Sequence, residues 1–152
     1  MRGLHWFRND LRLEDNRALA DLFRVVDEWC GLFVLERRLV DISSVSLKRL
    51  SFLFECLDDL SNDLDQVGNR LVVVDGPAET QIPQLMHKLS ISVLSFNEGT
   101  TPFAKSRDQS VIASVENAGH RVLKRRDHVI FSAADIRSSK GSAYSVLSRL
   151  HI

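Results

Sequence analysis

The sequence predicts an α/β domain built on a doubly wound, five-stranded parallel sheet. Three observations carry that reading. Apolar runs of strand length alternate with stretches of helical periodicity, the pattern of consecutive βαβ units. The run Leu71-Val-Val-Val74 is continuously apolar rather than alternating, as expected of a strand covered on both faces. Helix punctuation then falls where that alternation needs it, with Gly68 and Gly119 just past two of the helical patterns. At 152 residues the chain suits one domain with a core of its own.

Strands are expected at Gly3–Phe7, Gly31–Leu35, Arg70–Val74, Ser92–Phe96 and Arg121–Lys124. The first helical segment, Asn16–Glu28, sets Leu19, Leu22, Phe23 and Val26 on one face, with Asp15 as its N-cap. The longest, Leu47–Gln66, repeats Leu47, Leu50, Phe54, Leu57, Leu60 and Leu64 at helical spacing, which reads as one core stripe. A short third helix over Ile82–Leu89 admits Pro83 only in its first turn. The fourth, Pro102–Ala118, has Thr101 as N-cap and Pro102 at the first helical position. Right-handed crossovers favour the strand order 3-2-1-4-5 in three layers, a Rossmann-like arrangement.

Composition narrows the function classes. Lys plus Arg equals Asp plus Glu at 20 each, so the basic excess of a free-standing duplex-binding protein is missing and no direct DNA binding is expected of the chain alone. The clusters Arg37-Arg38 and Lys124-Arg125-Arg126 read as solvated faces. Cys30 and Cys56 lie in apolar segments without metal-ligand spacing, as buried thiols do in a reducing compartment. With no signal segment and no apolar run of membrane-spanning length, a soluble cytoplasmic protein is expected. The five histidines show no paired ligand spacing, so no metal site is expected. Neither G-x-G-x-x-G nor G-x-x-x-x-G-K-[ST] occurs, which argues against a dinucleotide or P-loop site, and no serine sits in a G-x-S-x-G elbow. Asp10 is read as the partner of an arginine rather than as an acid or base.

In such a sheet ligands bind beyond the carboxyl ends of the strands, where the winding reverses. The reversal falls between strands one and four. Arg8, Asn9 and Asp10 follow strand one, Asn97 and Glu98 follow strand four, and Glu36 with Arg37 and Arg38 follows strand two. A cleft of that composition suits a polar heterocycle better than a bare polyphosphate. Arg8, Asn9, Asp10, Glu36 and Asn97 are the candidate ligand-binding residues, acting by hydrogen bonding and charge pairing, with no bond-making.

The segment Trp6-Phe-Arg-Asn-Asp-Leu-Arg-Leu-Glu-Asp-Asn16 resembles the opening of the DNA photolyase/cryptochrome family. Gly31-Leu-Phe-Val-Leu-Glu36 is similar to that family's second strand. Arg49-Leu-Ser-Phe-Leu-Phe-Glu-Cys-Leu-Asp-Asp-Leu60 resembles its R-x-x-F-L-x-x-x-L-x-D-L helix. Leu71-Val-Val-Val-Asp-Gly-Pro77 and the pair Arg107-Asp108 match in order and spacing. The resemblance implies an N-terminal α/β domain that holds an antenna chromophore of folate or deazaflavin type. FAD and the repair chemistry would belong to a C-terminal helical domain absent from this chain, so FAD is not expected here and the chain is not expected to be catalytic alone. That helical domain is the expected partner, in trans.

Two departures bear on the implied function. Where folate-type members have an N-E pair ahead of R-D, this sequence has Phe103-Ala104. Gly141-Ser-Ala-Tyr-Ser-Val146 resembles the G-x-P-Y-x-V-F-T-P-F exit motif but has Ala143 for proline and no F-T-P-F. Helical and strand periodicity fades after about Val129, and Ser138-Ser-Lys-Gly-Ser142 reads as a linker, so the expected organisation is an α/β domain over 1–132 and a linker-like segment over 133–152. Two alternatives stand beside the antenna reading: a nucleotide-binding regulatory module similar in layout to universal stress proteins, and a ligand-free remnant scaffold.

Overall fold

The computed structural model describes residues 1–36 and 47–127. Five strands, β1 (Arg2–Phe7), β2 (Glu28–Leu35), β3 (Leu71–Asp75), β4 (Val93–Asn97) and β5 (Arg121–Arg125), form one parallel sheet in the order β3-β2-β1-β4-β5. The helices between them are α1 (Arg17–Phe23), α2 (Leu47–Gln66), α3 (Ala78–Lys88) and α4 (Pro102–Asn117). The order 3-2-1-4-5 and the three-layer architecture are those the sequence predicts. The segment after residue 127, including the expected linker, lies outside the described residues, as do Arg37 and Arg38.

The alternation of β1 explains the layers. Leu4 and Trp6 face one side of the sheet, where Leu32, Leu94 and Phe96 meet Ala78, Ile82 and Met86 of α3 and Val111 and Val115 of α4. Phe7 faces the other side, with Val93, Leu19 and Leu22 of α1, and Leu60 and Leu64 of α2. Period-two strands between two period-3.6 helix layers bury an apolar face on each side, which is the main source of stability in such a fold.

Several element boundaries depart from expectation for identifiable reasons. Asn16, not Asp15, is the N-cap of α1: its backbone is extended and its side chain accepts from the Leu19 N–H. Asp15 instead occupies the left-handed region, φ 46°, at the turn that precedes the cap. Helix α1 stops at Phe23, because the N–H groups of Asp27 and Glu28 already bond to Met1 as β2 begins beside β1. Phe23 is consequently 52% exposed and packs against Trp29 rather than the core.

Helix α3 begins four residues earlier than expected, so Pro83 lies inside it rather than in its first turn. The Ala78, Ile82 and Met86 stripe is buried at i, i+4, i+8 and carries the helix through a residue that lacks an N–H. Thr101 caps α4 as expected, accepting from the Ala104 N–H, with Pro102 at the first turn. Gly68 and Gly119 take φ of 72° and 80° past α2 and α4, the left-handed stops that glycine allows.

Two expectations about burial fail together. The run at Leu71–Val74 lies on an edge strand, and Val73 is 51% exposed instead of covered on both faces. The stripe on α2 is buried only at Leu57, Leu60 and Leu64, while Leu47 and Phe54 remain 77% and 46% exposed. Among the described residues, the first half of α2 therefore leaves the carboxyl ends of β2 and β3 partly uncovered.

Candidate functional site

The carboxyl end of the sheet is organised by a buried polar network between β1, β4 and α1. The Asn97 amide donates to Asp10 Oδ2 at 2.7 Å and to Asn16 Oδ1 at 2.8 Å, and Asn97 Oδ1 accepts from the Ala18 N–H. Asn16 in turn donates to the Arg12 carbonyl and to His5 Nε2. Ser95 Oγ gives its proton to the Ala18 carbonyl at 2.6 Å, so it accepts from His5 Nδ1 at 3.2 Å. These directions require a neutral His5 protonated at Nδ1. Burial, aided by the nearby Arg8 charge, pushes the His5 pKa down to about 3, consistent with that form. The network fixes the loop after β1 against β4 and leaves its members few free hydrogen-bonding positions.

Asp10 belongs to this network. Its Oδ1 accepts from the Arg8 backbone N–H, and its Oδ2 takes the Asn97 amide, so it orders the loop instead of pairing with an arginine side chain as expected. The arginine pairs elsewhere. Arg8 reaches across to Asp108 of α4 through Nη1, and the other Asp108 oxygen accepts from the Gly99 N–H at 2.9 Å. Arg8 thus joins the first motif to the Arg107-Asp108 pair, although 100 residues separate them. Its pKa is lowered chiefly by burial, with the Asp108 carboxylate opposing that shift.

A second guanidinium stands close by. Arg8 and Arg107 lie over the indole of Trp6, with Cζ 4.7 and 4.9 Å from the ring centroid. Arg107 Nη1 is 3.8 Å from Glu36, and its Nη2 is 3.7 Å from Asp108. Two cations and two carboxylates are thereby gathered in a buried cluster of zero formal charge, the arrangement that makes burying them tolerable.

Two cavities open from this floor. The larger, about 890 Å³, lies between the end of β2 and the first half of α2. Phe33, Leu35, Leu50, Phe52 and Leu53 give it apolar walls, with Arg8, Asn9, Arg12, Glu36, Lys48 and Arg49 at its polar edges. That volume is in the range that small-molecule sites occupy. The smaller, about 70 Å³, sits at the switch point between β1 and β4, lined by Asp10, Asn97, Gly99, Thr101, Ala104 and Arg107 among others. Arg8 and Asn9 border both.

Of the residues marked from sequence, Arg8, Asn9 and Glu36 face the larger cavity, while Asp10 and Asn97 border the smaller one with their polar atoms engaged. The α2 wall and Arg107 were not among them. Phe52 and Leu53 lie within the Arg49–Leu60 motif but off the Leu47, Leu50, Phe54, Leu57 stripe, so helical periodicity assigns them no role. Among the described residues no group of three His, Cys, Asp or Glu side chains is placed to hold a metal, and no helix is long and apolar enough to cross a membrane. Cys30 and Cys56 are unpaired and half-buried, and burial raises the Cys30 thiol.

A family model described as DNA photolyase matches residues 3–151. The chain is 33% identical over 143 residues to the deoxyribodipyrimidine photo-lyase of Synechococcus sp., covering 94% of this chain and 30% of that protein. It is 33% identical to cryptochrome-1 of Gallus gallus over 91% of this chain and 22% of that protein. Among solved structures, an archaeal photolyase from Sulfolobus tokodaii superposes with a TM-score of 0.79 at 30% identity, over 87% of this chain and 31% of that one. A bacterial class III photolyase from Agrobacterium tumefaciens superposes with a TM-score of 0.84 at 23% identity, over 95% and 30% of the two chains, a likeness of fold. The chain thus spans less than a third of the length of these relatives. With the motif residues of β1 and α4 joined in one cluster and the match running over almost the whole sequence, the chain belongs to the DNA photolyase family.

Proposed function

We propose that this chain is the antenna-chromophore module of a light-driven photolyase or cryptochrome, binding its ligand in the cleft between β2 and α2. The observation that carries the reading is that cleft: about 890 Å³, with apolar walls at Phe33, Leu50, Phe52 and Leu53 and basic groups at its edge. A planar ring system gains from apolar walls through its faces, and its polar rim is oriented by a few edge groups. Arg8, Asn9 and Glu36 are the edge groups in this reading. Asp10 and Asn97 hold the floor in position.

The chromophore would be of folate, deazaflavin or flavin type. The S. tokodaii photolyase, described as holding two FAD molecules with the implication of a novel light-harvesting cofactor, supports adding the flavin class. The chain would bind and orient the ring, exclude water from it and leave electron transfer to the FAD-binding helical domain of such a protein. In this reading it acts in the cytoplasm, neither catalyses repair nor grips DNA by itself, and contributes to light-driven DNA repair or blue-light sensing through that domain.

An absorption spectrum of the purified protein tests this directly. A bound antenna gives a near-ultraviolet or violet band beyond that of tryptophan, released on denaturation. A colourless protein that retains ATP by mass spectrometry would instead favour a nucleotide-binding regulatory module. A colourless protein that takes up no added flavin, deazaflavin or folate would favour a ligand-free scaffold.

A further inference from the structure

The two edges of the sheet are guarded unequally. β5 carries Arg121, Lys124 and Arg125, charges of the kind that keep a free strand from pairing. β3 carries Leu71-Val-Val-Val74 with no charge, proline or glycine, and among the described residues it pairs with β2 alone. The Arg70 carbonyl accepts from the Gly31 N–H and the Gly76 N–H donates to the Leu35 carbonyl, so both point inward. Backbone direction alternates along a strand, so Val72 and Val74 also turn toward β2, while Leu71 and Val73 turn their N–H and C=O groups outward. That outward row is a template for an added strand.

What flanks the edge defines the strand that fits it. Phe52 and Cys56 of α2 face the large cleft, on the side of the loop after β1. At 100° per residue, Phe54, Asp58 and Asp65 lie about 160–180° around the helix from them, on the flank that looks past β3. Phe54 is 46% exposed there, and Asp58 and Asp65 are exposed and form no ion pair among the described residues. Val73 shares the α2 face with Leu71, whereas Val72 and Val74 are half-buried on the opposite face.

An added strand therefore meets two different rows. On the α2 face, Val73 and Phe54 suit the methylene stems of lysine or arginine, and the two aspartates suit their charged heads. On the other face, Val72 and Val74 suit apolar side chains. A second copy of the chain fits worse, because a two-fold axis at β3 would set α2 against α2 and its aspartates against their own copies.

We propose that the β3 edge is a docking surface for an extended segment of a partner protein in which basic and apolar residues alternate. The segment joins the five-stranded sheet as one further strand. Its backbone bonds to Leu71 and Val73, and its basic residues reach Asp58 and Asp65. The edge and the cleft lie on opposite flanks of α2, so this inference stands apart from the chromophore reading.

Fluorescence anisotropy of the full chain with a dye-labelled peptide of alternating lysine and valine measures the docking. A glutamate–valine peptide should bind at least about tenfold more weakly. Val73→Pro removes an outward N–H where an edge strand tolerates proline, and should weaken the lysine peptide about tenfold. Val73→Lys sets a cation at the same half-exposed position and should weaken it as much, a check that does not depend on proline being tolerated. Asp58→Asn combined with Asp65→Asn should cost about two- to tenfold and flatten the salt dependence. In hydrogen exchange, the Leu71 and Val73 amides should be unprotected in the protein alone and protected with the lysine peptide. Equal binding of the two peptides, or full affinity in folded Val73→Pro and Val73→Lys proteins, overturns the assignment. A dimer in sedimentation velocity with those amides protected before peptide is added overturns it too, and gives the edge to a second copy. So does a lysine–valine peptide that does not bind at all.

Discussion

Between β1 and β4 the amides of Asn16 and Asn97 and both nitrogens of His5 have partners, whereas between β2 and α2 apolar walls face an open cleft of about 890 Å³. The two regions share the loop after β1, and by residue type both look like ligand-binding surface. Their chemistry differs in what is left over. A network whose donors and acceptors are already matched has little to offer a ligand and much to lose from a deletion. A cleft with uncovered aromatic and aliphatic walls has the reverse balance. Polar residues at a switch point can thus be scaffold, while leucines and phenylalanines in a helix can be the binding wall.

The largest expected effect of removing a single polar side chain falls on the network. Asn97→Ala removes two donated bonds and one accepted bond, leaving Asp10, Asn16 and the Ala18 N–H short of partners in a buried setting. We expect a loss of about 2–4 kcal/mol in urea-denaturation stability, from unsatisfied groups costing roughly 1–3 kcal/mol each with partial repair by water. A change below about 0.5 kcal/mol would place Asn97 with the cleft residues and break the distinction.

The pH dependence of the same network comes next. His5 is neutral in the fold with a pKa of about 3, against 6.5 in an unfolded chain. Between those values the unfolded state binds the extra proton, so stability rises with pH. The contribution is complete above about pH 6.5 and is lost as pH falls toward 3, at a slope approaching 1.4 kcal/mol per unit. Proton NMR of the His5 ring should show no titration between pH 8 and 4. A midpoint near 6.5 would mean that water reaches the network and that the closed region is open after all.

Much of this architecture is legible in the sequence because it follows from periodicity and punctuation. The strand order, Thr101 as a cap and the stops at Gly68 and Gly119 are local or topological consequences of residue type. What escapes depends on distant partners. Asp15 and Asn16 are both good caps, and only the pull of His5 and Asn97 on the Asn16 side chain sets the choice. Arg8 finds Asp108 and Asp10 finds Asn97, pairings over 100 and 87 residues that spacing along the chain does not reveal. Likewise the leucine stripe of α2 is continuous in sequence, but burial is decided by what lies opposite, and the sheet meets only its second half.

The smallest expected effect on stability is at that cleft wall, and it is the sharpest test of the comparison. Phe52 is 67% exposed, so Phe52→Ser withdraws little buried area and should change the unfolding free energy by no more than about 0.5 kcal/mol. Leu60, one helical face further along, is 1% exposed, and Leu60→Ala should cost about 2–5 kcal/mol. Two residues of one helix, eight positions apart, should therefore differ severalfold in stability cost while sharing the same hydrophobic character. If Phe52 is ligand wall, its serine variant should also lower riboflavin affinity several-fold with the fold intact. A stability cost at Phe52 comparable to that at Leu60 would mean that the first half of α2 closes onto the sheet, and the cleft would then cease to be a site.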